Sequence, residues 1–167
     1  MLIDFRQLFP KYNLKFSGVL HIGSNVGEEA ITYYELGIKR VIWCEANPEI
    51  FEILNKNIEK YPGSLALNFA IGDENKDVVF HVSSNNSQSS SILDLKIHKI
   101  EHPDVTFIKD IVVPMRTIKS LVESEPNLLD GVDFLNIDIQ GYELHALRGM
   151  GDLVNQFKMI YLECNSL

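Results

Sequence analysis

Cysteine is scarce in this sequence: there are two in 167 residues, Cys44 and Cys164, each inside an apolar run that reads as a buried strand. Buried free thiols in a reducing cytoplasm fit that placement better than a disulfide framework. Long apolar runs are missing, and none approaches the roughly 18 residues of a spanning helix, so no membrane partner is expected. The N-terminal stretch MLIDFRQLFPKYN carries an early Asp4 and lacks the apolar centre of a secretory leader. Basic residues are outnumbered 15 to 23, and a net charge of −8 argues against a nucleic-acid partner. There is no internal repeat and no linker. With 46% hydrophobic and 23% charged residues, the expectation is one cytoplasmic, globular domain over residues 1–167.

What is present is an alternation of strands and helices. Gly18–Ile22 (GVLHI) is a short apolar strand that runs into the turn Gly23-Ser24-Asn25-Val26-Gly27. A helical pattern covers Glu28–Leu36, with Gly37 in the place of a C-terminal glycine. Arg40–Cys44 is a second strand, and Asn47-Pro48-Glu49 then supplies a cap, a first-turn proline and a first-turn acid for a helix over Pro48–Lys60. Further strands are expected at Leu65–Ile71, Asp77–Val82, Ile111–Met115, Asp133–Ile139 and Lys158–Cys164. Helices are expected at Ile92–Ile100, Thr117–Glu123 and Tyr142–Arg148. Ser83–Ser91 contains no apolar residue and reads as a loop. The pattern predicts an α/β fold, a doubly wound and mainly parallel sheet. An insertion-like segment about 77–115 would hold an antiparallel pair beside the serine loop.

In such a sheet, ligands bind beyond the carboxyl ends of the strands. His21, Glu45, Asp138, Gln140, Glu163 and Asn165 stand at those ends. The glycine turn would let a ligand approach the backbone closely. It is not G-x-G-x-x-G, however, because Asn25 stands where a dinucleotide fold needs glycine to admit a pyrophosphate. Glu45, about 20 residues beyond Gly23, stands where such folds hold a ribose diol, and a carboxylate can accept both hydroxyls. Turn and acid together point to a nucleoside cofactor without pyrophosphate, S-adenosyl-L-methionine.

Val19–Glu49, the run SQSSSIL at Ser87–Leu93 and FLNIDIQGYELHALRGM at Phe134–Met150 resemble the FkbM-type methyltransferases. These are class I, Rossmann-like enzymes that use S-adenosylmethionine, mostly to methylate oxygen on sugars or small metabolites. The resemblance implies the strand order 3-2-1-4-5 and a small-molecule or sugar acceptor. It places Gly23, Ser24, Asn25 and Gly27 at the methionine portion, Glu45 with Ala46 at the ribose, and Ala70 and Ile71 at the adenine. His21 stands where many members carry an acid, and its neutral imidazole would accept from the cofactor's ammonium or a water would bridge the two. Asn136 stands where many carry lysine. The family fold continues past its fifth strand with a helix and an antiparallel hairpin, so a chain ending at Leu167 is expected to be a short form or a fragment.

Asp138, at the end of its strand, is the first catalytic candidate and a second contact for the cofactor. Glu143 and Glu163 would converge with it, and His98 is the candidate base, since histidine alone titrates near neutrality unaided. Oxygen ligands such as these, with Gln140 and Asn165, suit magnesium or calcium, but no compact ligand motif is present and no metal residue is assigned. A nicotinamide-dependent oxidoreductase and a cofactor-binding domain without turnover are the alternatives. Finally, Lys158–Cys164 is expected at a sheet edge with Met159 and Tyr161 partly uncovered, which invites self-association through the strand.

Overall fold

The computed structural model describes residues 4–83, 90–92 and 107–162. Five strands form an all-parallel sheet: β1 (Gly18–Ile22), β2 (Arg40–Cys44), β3 (Ser64–Leu67), β7 (Phe134–Ile137) and β8 (Met159–Leu162). Their order is β3-β2-β1-β7-β8, the expected 3-2-1-4-5. A second sheet, β4-β6-β5, contains β4 (Ala70–Ile71), β5 (Lys76–Ser83) and β6 (Phe107–Arg116). There β5 and β6 pair antiparallel, as the sequence suggested, while β4 runs parallel to β6.

The central strands are buried on both faces, and side-chain alternation divides them between two cores. Leu20, Ile22, Ile42, Leu135 and Ile137 face one side, where they meet Ile118, Ala146 and Met150. Val19, Val41, Trp43 and Phe134 face the other, against Phe5, Phe9, Tyr33, Leu54 and Ile58. The helices that supply these groups are α1 (Phe5–Lys11), α2 (Ala30–Glu35), α3 (Pro48–Ile58), α4 (Ile118–Ser124) and α5 (Glu143–Met150), the last followed by a 3-10 turn over Gly151–Gln156. Side chains of Asp4, Asn47 and Thr117 cap α1, α3 and α4, each accepting an amide from the first turn.

Several boundaries differ from the sequence expectation for local reasons. The run Leu65–Ile71 is two strands in two sheets. Asn68 breaks it, donating its side-chain amide to the carbonyls of Glu45 (2.8 Å) and Ala46 (3.2 Å) as the chain changes sheet. The helix after the glycine turn begins at Ala30 rather than Glu28, because the Gly27 and Ala30 amides close turns onto Ser24 and Gly27. Ser83 ends β5 rather than starting a loop; its amide donates to Ser90 Oγ at 3.0 Å, and Ser91 bridges His81. The remainder of the serine run, most of the expected Ile92–Ile100 helix, and Cys164 lie outside the described residues.

At the sheet edge β8 is partly exposed, as expected, with Ile160 open to solvent, and α1 covers part of Tyr161. The α1 residue Phe5 packs edge-on against it at 5.2 Å between ring centroids, and also against Phe134 at 5.4 Å. A seven-residue helix cannot persist alone in water, so α1 is held by this aromatic contact. Phe5→Ala should therefore lower stability by about 3–5 kcal/mol in urea unfolding. A loss under about 1 kcal/mol would mean that capping, not packing, holds the helix.

Candidate functional site

The carboxyl ends of β1, β2 and β7 open into a cleft of about 550 Å³. Its floor is the glycine turn, which three bonds to one acceptor fix in place. Gly23 N (2.9 Å), Ser24 N (3.1 Å) and Ser24 Oγ (3.2 Å) all donate to the Cys44 carbonyl. Gly23 has φ +80°, and a Cβ there would lie 1.8 Å from the Asp138 carbonyl oxygen, so no other residue fits. Asn25 also takes a left-handed φ of 46°, which asparagine tolerates better than most residues.

Glu45 is buried at the junction of this turn with α3. Its Oε2 accepts the Asn25 amide at 2.9 Å and its Oε1 accepts the Asn47 amide at 2.8 Å. Asn47 in turn caps α3 through Glu49 N at 3.0 Å. Burial raises the Glu45 carboxyl from its ordinary 4.5 to about 7, against the backbone amides of Asn47, Asn25 and Ala46, which favour the charged form. Beside it, burial pushes the Cys44 thiol up to about 12, with the Glu45 charge adding to the effect, so Cys44 is no nucleophile at neutral pH.

Across the cleft, Asp138 follows β7, its backbone amide donating to the Ile22 carbonyl at 2.9 Å. Gln140 Nε2 donates to Asp138 Oδ1 at 2.6 Å. Gln140 (φ 55°) and Gly141 (φ 101°) carry the chain through a tight loop before α5. Glu143 holds that loop: its Oε1 accepts the amides of Ile139 and Gly141, both at 3.1 Å.

A smaller recess of about 330 Å³ adjoins the cleft on the side of α1 and shares His21, Glu28, Glu29, Asp138 and Tyr161 with it. His21 and Asn136 are buried neighbours on β1 and β7, in register with each other. Asn136 Nδ2 donates to Tyr33 Oη at 2.8 Å and to His21 Nε2 at 3.2 Å, an arrangement that leaves the imidazole hydrogen on Nδ1. That nitrogen lies 3.4 Å from Tyr33 Oη and 3.9 Å from Glu29. Burial lowers the His21 pKa, only partly offset by Glu29, so the ring is neutral at pH 7. The Oδ1 atoms of Asn25 and Asn136 are buried with no hydrogen-bond partner among the described residues.

Of the residues expected at the site, His21, Gly23, Ser24, Asn25, Glu45, Ala46, Ala70, Ile71 and Asp138 all line the cleft. Gly27 does not line it; its φ of +77° and its contact with Leu54 and Ile58 place it in the packing of the turn on α3. Glu143 is engaged in its own loop and is likewise absent from the lining. His98 and Glu163 lie outside the described residues. Among the described residues no group of three or more His, Cys, Asp and Glu could hold a metal ion. No described helix is long and apolar enough to cross a membrane.

The cleft also has walls that the sequence did not point to: Glu28 and Glu29 just before α2, Phe69, Phe80 of β5, Ile92, and Tyr142. The period-two alternation of β5 could have separated Phe80 from the exposed Val79, but not shown which way the second sheet faces.

Fold and site together define a Rossmann-like α/β protein of methyltransferase architecture, with its cleft at the carboxyl edge of a parallel sheet. The chain belongs to the methyltransferase FkbM domain family, which matches residues 21–167. A curated relative is the hexuronic acid methyltransferase AglP of Haloferax volcanii, 25% identical over 150 residues, covering 87% of this chain and 54% of that protein. The chain thus spans about half the length of that relative. No solved structure gives a significant match.

The raised Glu45 carboxyl has a consequence for stability. The unfolded chain releases this proton near pH 4.5 and the folded chain near 7. Its contribution is therefore full below 4.5 and lost as pH rises through 7, a difference of about 3 kcal/mol. Glu45→Gln should flatten that part of the pH profile without regaining the low-pH stability, because its amide NH₂ must face one of two backbone N–H donors. Urea denaturation of both proteins without ligand between pH 4 and 8 measures this; parallel curves would assign the slope to other groups.

Proposed function

We propose that this chain is an S-adenosylmethionine-dependent methyltransferase that acts on a hydroxyl of a sugar or small metabolite. The observation that carries the proposal is Glu45. Its oxygens accept the Asn25 and Asn47 amides, and the remaining acceptor capacity of a carboxylate fixed between turn and helix can take ribose hydroxyls from the cleft. Glu28, Glu29 and Asp138 add negative charge to the same walls, and Asn25 Oδ1 adds an unpartnered acceptor. Such a set suits a cationic sulfonium and ammonium and repels a pyrophosphate, which disfavours a nicotinamide dinucleotide. Ala70, Ile71 and Phe69 offer the apolar surface that a purine needs.

Bound there, the cofactor supplies an electrophilic methyl group on sulfur. The protein's part is to place an acceptor hydroxyl in line with it and to take the hydroxyl proton. Asp138, oriented by Gln140, stands at the strand end for both tasks. His21 and Asn136 form the neutral, locked floor of the recess beside it. Family membership supports the methyltransferase assignment, and the relative's action on a hexuronic acid supports a sugar-derived acceptor.

Calorimetry with S-adenosylhomocysteine tests the cofactor. Glu45→Ala should weaken its binding by about 2–4 kcal/mol, the worth of two charge-assisted hydrogen bonds. Affinity of the parent should rise as pH passes through about 7, with proton release on binding, because the ribose needs the ionised form. Equal binding by a folded Glu45→Ala protein would reject the ribose assignment. Turnover with a panel of hydroxylated sugars tests the reaction: Asp138→Asn should lose most of it while keeping the fold. Binding without turnover on any acceptor would make the chain a cofactor-binding domain only.

A further inference from the structure

We infer that Asp73 and His145 are positioning residues: they clamp the Tyr142 ring as the aromatic wall against which a ring of the bound ligand packs. The ligand half of this inference rests on the nucleoside reading of the cleft; the clamp itself does not.

Two walls of the cleft come from separate parts of the chain. One is β4, with Ala70 and Ile71; the other is the loop from Asp138 to Tyr142 that leads into α5. Nothing covalent keeps them at a fixed spacing. Asp73, two residues past Ile71, accepts from His145 Nδ1 at 2.7 Å, and so ties the turn after β4 to the first turn of α5. The His145 ring in turn stacks on Tyr142, with centroids 4.2 Å apart and planes 12° apart. The His145 hydrogen bond, the largest influence on Asp73, holds its carboxyl below the usual range, so the acceptor is ionised at neutral pH.

The backbone closes the same seam. A Cβ on Gly149 would lie 1.9 Å from the Gly72 carbonyl oxygen. A Cβ on Gly72 would lie 2.4 Å from Met115 Sδ and 3.0 Å from Tyr142 Cε1. The turn after β4 therefore touches α5 directly, and the tyrosine ring fills the space that the missing Gly72 side chain leaves. Tyr142 is buried, whereas His145 and Asp73 are partly exposed, with their side chains 37% and 27% accessible. An ion pair this exposed adds little to stability, so its worth lies in where it puts the ring. A flat aromatic face is a stacking surface for a base or for the apolar face of a sugar.

The test is a set of variants, His145→Ala, His145→Phe, Asp73→Ala, Tyr142→Ala and the double His145→Ala/Tyr142→Ala, read by S-adenosylhomocysteine calorimetry and thermal melts. His145→Ala, Asp73→Ala and Tyr142→Ala should each weaken binding about tenfold. The double variant should be no worse than Tyr142→Ala, since His145 acts only through the ring, and His145→Phe, which keeps the stack but loses the bond to Asp73, should lose about as much as Asp73→Ala. Single variants within twofold of the parent, or additive losses in the double, would overturn the inference. Should the parent bind no S-adenosylhomocysteine, the cofactor proposal falls and the clamp is decided separately by NMR of ring-labelled tyrosine. A Tyr142 resonance that shifts in Asp73→Ala, which leaves the stacked imidazole present, supports the clamp, and an unmoved one refutes it.

Discussion

The cleft depends on one buried carboxylate. Glu45 sits where the glycine turn, the end of β2 and the start of α3 meet, and its two oxygens accept one backbone amide from each side. Without that acceptor the Asn25 and Asn47 amides would be left facing each other with nothing between them, at the place where the chain must also hold a left-handed asparagine. The cost is a carboxyl held near its titration point at neutral pH, because burial outweighs three favourable amides. A group so placed changes charge near neutral pH, so its state responds to small changes in its surroundings.

The second constraint lies on the other face of the sheet. Polar residues in the middle of parallel strands are unusual, yet His21 and Asn136 lie side by side on β1 and β7, among Trp43, Tyr33 and the α1 phenylalanines. They are tolerated because they bond each other and Tyr33, and because burial keeps the imidazole uncharged. The unpartnered Asn136 Oδ1 is the one acceptor this network does not use. It turns an otherwise apolar core surface into the floor of a polar recess next to the cleft.

Much of this was legible in the chain itself. The strands and helices themselves, the capping asparagine before Pro48, the glycine after α2 and the acid ending β2 all follow from local chemistry, while the strand order came from the family resemblance. Periodicity, cap preference and the need for positive φ each act within a few residues. The less legible parts are those where two distant segments compete for one residue. Glu143 reads as a catalytic acid on a first helical turn, but its nearest donors are the amides of its own loop. Gly27 reads as part of a ligand cradle, but α3 has already filled the space beside it. Asn68 interrupts what reads as one strand, because the carbonyls it bonds belong to the Glu45–Ala46 turn more than 20 residues earlier.

The sequence by itself determined the class of fold, the edge of the sheet that carries the site and the residue types at its floor, since strand ends in a parallel sheet converge whatever the loops do. Only the tertiary structure decided which of those residues face the cleft and what walls surround them. The second sheet brings Phe80 over the strand ends, α1 packs Phe5 against Tyr161 of β8, and an aspartate after β4 meets a histidine on α5. The reason is physical: side-chain direction within an element is local, but the relative placement of two elements is set by packing between surfaces far apart in the chain. No run of residues encodes that packing alone.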